Sequence, residues 1–226
     1  MKYDINFQLE LKQNTYPGKY YAIEGIDGSG KTTQTKMLAE YFSSQGKQVL
    51  MTKEPTDGLI GKLIYQVLHK ELSVPPISLQ YLFCADRAVH LEEVVTPALK
   101  EGKIVISDRS LWSAVAYGIT DQNLPDEQKE RILVAYNAVL ALYGGFLIPD
   151  ITILLDIPFE VSLERTEIRN QTKSIYDGSE KLRRIIKEYL FLAHKFPEVI
   201  TRVEGDHHHT PEQIQEKILK ALRLQS

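Results

Sequence analysis

Residues 21–34 read Tyr21-Ala22-Ile23-Glu24-Gly25-Ile26-Asp27-Gly28-Ser29-Gly30-Lys31-Thr32-Thr33-Gln34. Four residues separate Gly25 from the Gly30-Lys31-Thr32 triplet, the spacing of a loop that wraps a phosphate chain. An apolar run precedes the loop, and Thr33, Met37, Leu38 and Tyr41 follow it with helical spacing. Gly25, Gly28 and Gly30 permit a tight turn whose amides point inward, onto a helix N-terminus that favours anions. Lys31 can reach the outer phosphates and Thr32 can offer an oxygen to Mg2+. A merely glycine-rich strand-to-helix turn would leave the lysine, the hydroxyl and the flanking periodicity unexplained. The stretch predicts a nucleoside triphosphate site.

The chain has 226 residues, 27 basic and 30 acidic, which fits one α/β domain that buries its core without metals or disulfides. That near-neutral balance does not suggest binding to nucleic acid or to an acidic membrane. Cys84, the single cysteine, excludes an internal disulfide and reads as a small buried filler between Phe83 and Ala85. No apolar stretch has the length of a membrane helix, and residues 1–18 lack a signal-peptide core, so a cytoplasmic protein is expected. His207-His208-His209 has no companion ligands around it in the sequence and reads as loop.

Residues 20–24 form the first predicted strand, and 31–45 the helix that carries the loop at its start, ended by Gly46. Further strands are predicted at 49–52, 103–107, 151–157 and 199–203. Helical patterns cover 59–72, 126–143, the stretch from 159 to near Asn170, 182–196 and 211–224. Pro75-Pro76 breaks the chain before a long helix for which Ser78 is the candidate cap, and Thr210 is the candidate cap of the last helix. Strands alternating with helices predict an α/β, three-layer phosphate-loop fold: a central five-stranded parallel sheet with helices on both faces. Residues 1–18 read as an N-terminal extension and 19–226 as a single domain, with a lid at the polar stretch 171–178.

In such a sheet, functional groups collect beyond the carboxyl ends of the strands. Glu24 and Asp27, Lys53-Glu54, Asp108-Arg109 and the segment after Asp156 all fall there. Asp108 suits either a Mg2+-bound water and the acceptor, or a helix cap. Arg109 offers a planar fork to phosphate oxygens, or a surface ion pair. Asp27 lies close to the transferring phosphate or braces its own turn. Glu24 and Lys53 each stay open between a role in the site and a plain charge. Phe83 and Arg87, four residues apart, project from one helical face and can grip a base and a phosphate or carbonyl, or serve as core and solvent cap. Arg165 and Arg169 share that spacing just before the polar stretch, where a closing lid would carry them over the triphosphate.

Taken in order, these segments resemble the thymidylate kinases, nucleoside monophosphate kinases of the phosphate-loop class. Glu24-Gly25-Ile26-Asp27-Gly28-Ser29-Gly30-Lys31-Thr32-Thr33-Gln34 looks like the family's opening motif, and Thr52-Lys53-Glu54-Pro55 is similar to its Thr-Arg-Glu-Pro segment. Tyr81-Leu82-Phe83-Cys84-Ala85-Asp86-Arg87 resembles the helix that meets the base. Val105-Ile106-Ser107-Asp108-Arg109, Ser113-Ala114-Val115-Ala116-Tyr117 and Pro149-Asp150-Ile151-Thr152-Ile153-Leu154-Leu155-Asp156 resemble later segments. The likeness covers residues 19–224. It implies transfer of the γ-phosphoryl group of ATP to dTMP with Mg2+, giving dTDP and ADP in dTTP synthesis. It also implies small nucleotides as partners, no nucleic acid or membrane, and a homodimer formed through the long helices.

By the same resemblance, Lys31 and the 28–33 amides hold the ATP phosphates, within a binding loop of Gly25, Ile26, Asp27, Gly28, Ser29, Gly30, Lys31, Thr32 and Thr33. Arg165 and Arg169 support ATP or the lid. Thr32 and Asp108 hold the metal, and Lys31, Asp27, Asp108, Arg109 and Arg169 form the catalytic set. Lys53, Phe83, Arg87, Arg109, Ser113, Tyr117 and Tyr176 line the acceptor site, with Tyr117 near the sugar edge.

Several positions depart from the family pattern. Lys53 replaces an arginine, losing a bidentate fork but keeping its charge. Ser110 follows Asp-Arg where tyrosine, phenylalanine or histidine is usual. Gly118 replaces the glutamine after Ala-Tyr, leaving a base contact unassigned. Ser174-Ile175-Tyr176-Asp177 loosely matches the lid's Arg-aromatic-Glu, with Ile175 at the arginine position, and Gly28 occupies a loop site that is arginine in one subclass. An arginine for the moving phosphoryl group is then sought among Arg165, Arg169, Arg183 and Arg184, Arg169 first. Two other readings stay open. One is a deoxynucleoside kinase, suggested by Asp108-Arg109-Ser110, with Glu24 as base for a sugar hydroxyl. The other is a non-enzymatic ATP-binding switch or inactive paralogue.

Overall fold

The computed structural model describes residues 10–125, 127–168, 174–176 and 178–223. Five parallel strands, β1 (Lys19–Glu24), β2 (Val49–Lys53), β3 (Ile104–Asp108), β4 (Ile151–Asp156) and β5 (Ile200–Glu204), lie in the order β2-β3-β1-β4-β5. Between them run α1 (Lys31–Ser44), α2 (Leu59–Leu68), α3 (Pro76–His90), α4 (Thr96–Lys100), α5 (Leu111–Asp121), α6 (Lys129–Leu142), α7 (Phe159–Ile168) and α8 (Ser179–Lys195); α9 (Pro211–Arg223) follows the last strand. A π-helical turn, Leu91–Val95, joins α3 to α4 without a break.

Side chains alternate across a strand, and here both alternating sets are apolar because both faces are covered. Ile104 and Ile106 of β3 and Ile151, Ile153 and Leu155 of β4 meet Leu38 of α1 and Ile218 of α9. On the opposite face Tyr20 and Val105 pack beneath Leu91, Val95 and Leu99, while Leu154 joins the core of α5, α6 and α8. Emptying one of these sites, as in Leu38→Ala, costs about 2–5 kcal/mol by the usual cavity penalty. The chain leaves β1 toward β2 on one side and returns across it to β4 on the other. That reversal opens a crevice at the carboxyl end of β1.

Some boundaries differ from the sequence expectation. The long helix starts at Pro76, not at a Ser78 cap: a proline in the first turn lacks only an N–H that would have no helical partner, and Ser78 N donates to Pro75 O at 2.9 Å inside that turn. The helix expected over 59–72 stops at Leu68, where Lys70 takes a left-handed φ of 65°. Thr210 does cap α9. Gln213 N donates to its Oγ1 at 3.3 Å and Thr210 N donates to Gln213 Oε1 at 2.9 Å, a reciprocal box.

Past residue 9 the N-terminal segment docks across the amino ends of β1 and β4. Ile148 N donates to Lys12 O at 3.0 Å, and Asp150 Oδ2 accepts from both Asn14 Nδ2 (2.8 Å) and Tyr20 N (2.7 Å). Among the described residues no helix is long and apolar enough to cross a membrane.

Candidate active site

The connection from β1 to α1 is the phosphate loop. Gly28 has φ +77°, and a Cβ there would stand 2.7 Å from Ser162 O, so α7 packs directly on a loop that only glycine can form. Ser162 Oγ also donates to Asp27 O at 2.7 Å, a clamp that sequence reading missed. Gly30 (φ +98°) begins α1 without a capping side chain, which leaves the helix N-terminus free to face an anion.

Lys31 is 7% exposed; its Nζ donates to Ile26 O at 2.8 Å and lies 3.6 Å from Asp27 Oδ1. Burial, and then the neighbouring Arg109, push its pKa down to about 8. Burial pushes the Asp27 carboxyl up, but Arg109 and then Lys31 outweigh it and hold it below the ordinary range. Thr32 Oγ1 donates to Asp108 Oδ2 at 2.6 Å, bringing together two hard oxygens from α1 and β3. Such a pair fits Mg2+, which takes few protein oxygens and completes its shell with water and substrate phosphates.

Arg109 sits between two recesses. Its φ of +75° is costly for a side-chain-bearing residue and persists because its neighbours hold it. Arg109 N donates to Ile23 O at 2.9 Å, and Ser107 Oγ donates to Arg109 O at 2.6 Å. The guanidinium pairs with Asp27, donates to Gly25 O at 3.2 Å and Ser113 Oγ at 3.1 Å, and lies 5.4 Å from the Tyr117 ring. On one side is a cleft of about 470 Å3 that includes Gly28, Gly30, Lys31, Thr32, Lys53 and Asp108. On the other is a tighter pocket of about 80 Å3 that includes Phe83, Arg87, Ser113, Ala114, Tyr117 and Tyr176.

In this second pocket Arg87 is buried and ion-paired with Glu54, whose Oε1 is also 2.8 Å from His90 Nδ1. Arg87 Nε and Nη1 have no hydrogen-bond partner among the described residues. Asp86 Oδ2 and Oδ1 accept from Thr56 N (2.8 Å) and Thr56 Oγ1 (2.6 Å), fixing the loop that follows β2. Lys53 is 46% exposed on its side chain and pairs with Asp57 at 2.8 Å. Tyr117 packs edge-on against Tyr176 at 4.6 Å, and Tyr176 Oη donates to Asp121 Oδ2 at 2.6 Å. Ile175, at the expected arginine position, is an apolar anchor. It packs against the α2–α3 cluster while its N–H donates to Leu68 O at 3.0 Å.

Glu24, left open by the sequence, is a buried acceptor for the head of α5. Its Oε1 accepts from Ser110 N (2.7 Å), Ser110 Oγ (2.8 Å) and Ser113 N (3.2 Å); its Oε2 accepts from Ser113 Oγ and, at 3.0 Å, from Tyr189 Oη. Ser113 therefore lines the pocket with its hydroxyl already committed. Ser110, unusual in sequence, is explained by this carboxylate.

Of the arginines sought for the lid, Arg165 reaches the loop, donating to Gly28 O at 3.4 Å. Arg183 pairs with Glu160 (3.3 Å) and covers the Phe159 ring, while Arg184 binds Glu180 (3.1 Å) and Asn123 (2.8 Å). Arg169 and, within the 171–178 stretch, residues 171–173 and 177 lie outside the described residues. His209 lies between Asp206 and Lys217, 2.7 Å from each.

Two recesses meeting at one guanidinium, on the carboxyl side of a parallel sheet, are the plan of a phosphate-loop nucleoside monophosphate kinase. The thymidylate kinase family model matches residues 23–218, and the chain belongs to that family. It is 41% identical over 187 residues to a probable thymidylate kinase of Pyrococcus horikoshii, a match covering 80% of this chain and 86% of that one. It is 35% identical over 207 residues to a probable thymidylate kinase of Methanococcoides burtonii, covering 91% and 96%. A solved thymidylate kinase from Ehrlichia chaffeensis matches with a TM-score of 0.67 at 27% identity, covering 92% of this chain and 100% of that one. The Candida albicans thymidylate kinase structure shares the fold, with a TM-score of 0.76 at 24% identity over 93% of each chain. The family and the five-stranded α/β architecture expected from sequence are borne out, and the protein is a phosphotransferase of the nucleoside monophosphate kinase type.

Proposed function

We propose that the protein transfers the γ-phosphoryl group of ATP to dTMP, giving dTDP and ADP. The observation that carries this reading is the position of Arg109, bonded to the phosphate loop through Asp27 and Gly25 and to the acceptor side through Ser113. A phosphoryl group passing between the recesses develops its charge beside that guanidinium. Lys31 and the loop amides bind the donor phosphates. Thr32 and Asp108 would hold Mg2+, which neutralises phosphate charge when bound. Arg165 adds a cation at the loop.

On the acceptor side, Phe83 offers a ring to the base, Arg87 its free N–H groups, and Tyr117 a wall at the sugar. The bond from Pγ to the β,γ-bridging oxygen breaks and a new one forms to an oxygen of the acceptor phosphate. That oxygen is already ionised near neutral pH, so alignment and charge neutralisation, not a strong base, supply the rate. Glu24, with both oxygens accepting from Ser110, Ser113 and Tyr189, is not placed to take a proton from a sugar hydroxyl, which disfavours the deoxynucleoside kinase reading. Exposed Ile77, Tyr81 and Val89 of α3 and Leu133 and Val134 of α6 support association with a second copy through the long helices.

Coupled ADP release, run with dTMP, thymidine, dUMP and dCMP in parallel, tests the reading. Turnover on dTMP with none on thymidine is expected. Turnover on thymidine alone would overturn it.

A further inference from the structure

Gln80 of α3 is 1% exposed, yet its Nε2 has no hydrogen-bond partner among the described residues. Its Oε1 accepts from Tyr143 Oη at 3.3 Å, which turns the NH2 end away from that hydroxyl. The amide fits because residue 118 is glycine: a Cβ there would stand 2.7–2.9 Å from the Gln80 amide atoms. Gly118 lies one helical turn after Ala114 and next to Tyr117, both walls of the acceptor pocket. On α3, Gln80 precedes Phe83 by three residues and Arg87 by seven, so the three share a face. Tyr143 joins the two polar ends, its hydroxyl on Gln80 and its ring 5.5 Å from the Arg87 guanidinium. Arg87 pairs with Glu54 through Nη2 alone, so its Nε and Nη1 at one end of the row and Gln80 Nε2 at the other are buried donors without a partner among the described residues, and they call for a ligand that brings acceptors.

We propose that Gln80 determines base specificity, donating from Nε2 to a carbonyl oxygen of the acceptor's base. The inference rests on the reading of this pocket as the acceptor-nucleotide site. A row of donors favours a base edge carrying carbonyl oxygens, a 2,4-dioxopyrimidine. It disfavours an aminopyrimidine, whose NH2 would face donors only. The glutamine absent after Ala-Tyr is thereby replaced by an amide from the facing helix, and Gly118 makes its room.

The test compares steady-state kinetics of the full chain and its variants with dTMP and dCMP. Gln80→Met keeps the volume and removes the donor. It is expected to raise KM for dTMP about five- to tenfold, leave kcat and the KM for ATP near wild type, and lower the dTMP-over-dCMP preference by a similar factor. Gln80→Ala should lose the same preference. Adding Gly118→Gln to it returns an amide from α5 and should recover the preference, whereas adding Gly118→Leu, which restores only packing, should not. Unchanged KM and preference in Gln80→Met, with wild type active on dTMP, would overturn the role of Gln80 alone. A wild-type preference for dCMP would overturn the donor assignment. Absence of wild-type turnover on every monophosphate would overturn the acceptor-site reading beneath it.

Discussion

The phosphate loop is itself one run, residues 25–33, whereas the second pocket is assembled from Glu54, Phe83, Arg87, Ser113, Tyr117 and Tyr176 on separate segments. In the proposed reading, recognition on the loop side falls to backbone amides, a helix end and Lys31, with Thr32, Asp108 and Arg165 beside them. On the acceptor side it falls to buried side chains that also hold the fold together: Arg87 neutralises Glu54, and Glu24 ties α5 to Tyr189 of α8. Function and stability should therefore separate on the first side and move together on the second.

Lys31→Met gives the largest separation. Loss of one charge-stabilising donor is expected to cut kcat about 10²–10³-fold. The urea midpoint should hold, because the ammonium is buried and disfavoured where it stands. A large drop in stability would erase the contrast. Arg87→Ala should behave in the opposite way. Leaving Glu54 buried beside His90 alone costs roughly 3–5 kcal/mol, read as a lower urea midpoint, along with a raised KM for dTMP.

Tyr189→Phe removes a single hydroxyl from Glu24 and Ser113. An expected loss of about 1 kcal/mol, with a small fall in kcat, would sharpen the view that this buried network positions the head of α5. The smallest effect concerns protons. With Lys31 titrating at about 8 in the free protein, ATP phosphates should raise its pKa. Binding near that pH then takes up a fraction of a proton, and affinity weakens as pH rises through it. Calorimetry in buffers of different ionisation enthalpy reads the uptake directly, and Lys31→Met should abolish it.

The same contrast explains what was legible in the sequence. The loop could be read because its glycines, lysine and threonine lie in one short run, and the central strands β3 and β4 because each is an apolar run on a sheet covered on both faces. Asp108 and Arg109 were legible as charges at a strand end. Ser162, Tyr189 and Gln80 were not. Their partners lie 135, 165 and 63 residues away (Asp27, Glu24 and Tyr143), and in isolation they look like ordinary helical positions. Gly118 inside an apolar helix was the one local sign of the Gln80 arrangement, since such a glycine usually marks a close approach. Arg183 and Arg184 looked equivalent to Arg165 by charge, but only the path of α7 over Gly28 brings Arg165 to the loop. Ser78 looked like a cap because sequence shows a hydroxyl before an apolar pattern and not the proline-led turn that replaces it.

Phosphorus-31 NMR of the full chain with Mg-ATP and dTMP most directly tests whether the two recesses exchange a phosphoryl group at Arg109. The account predicts the two phosphorus signals of dTDP growing one for one with ADP, without inorganic phosphate. Inorganic phosphate in place of dTDP, or ATP left intact beside dTMP, would contradict it.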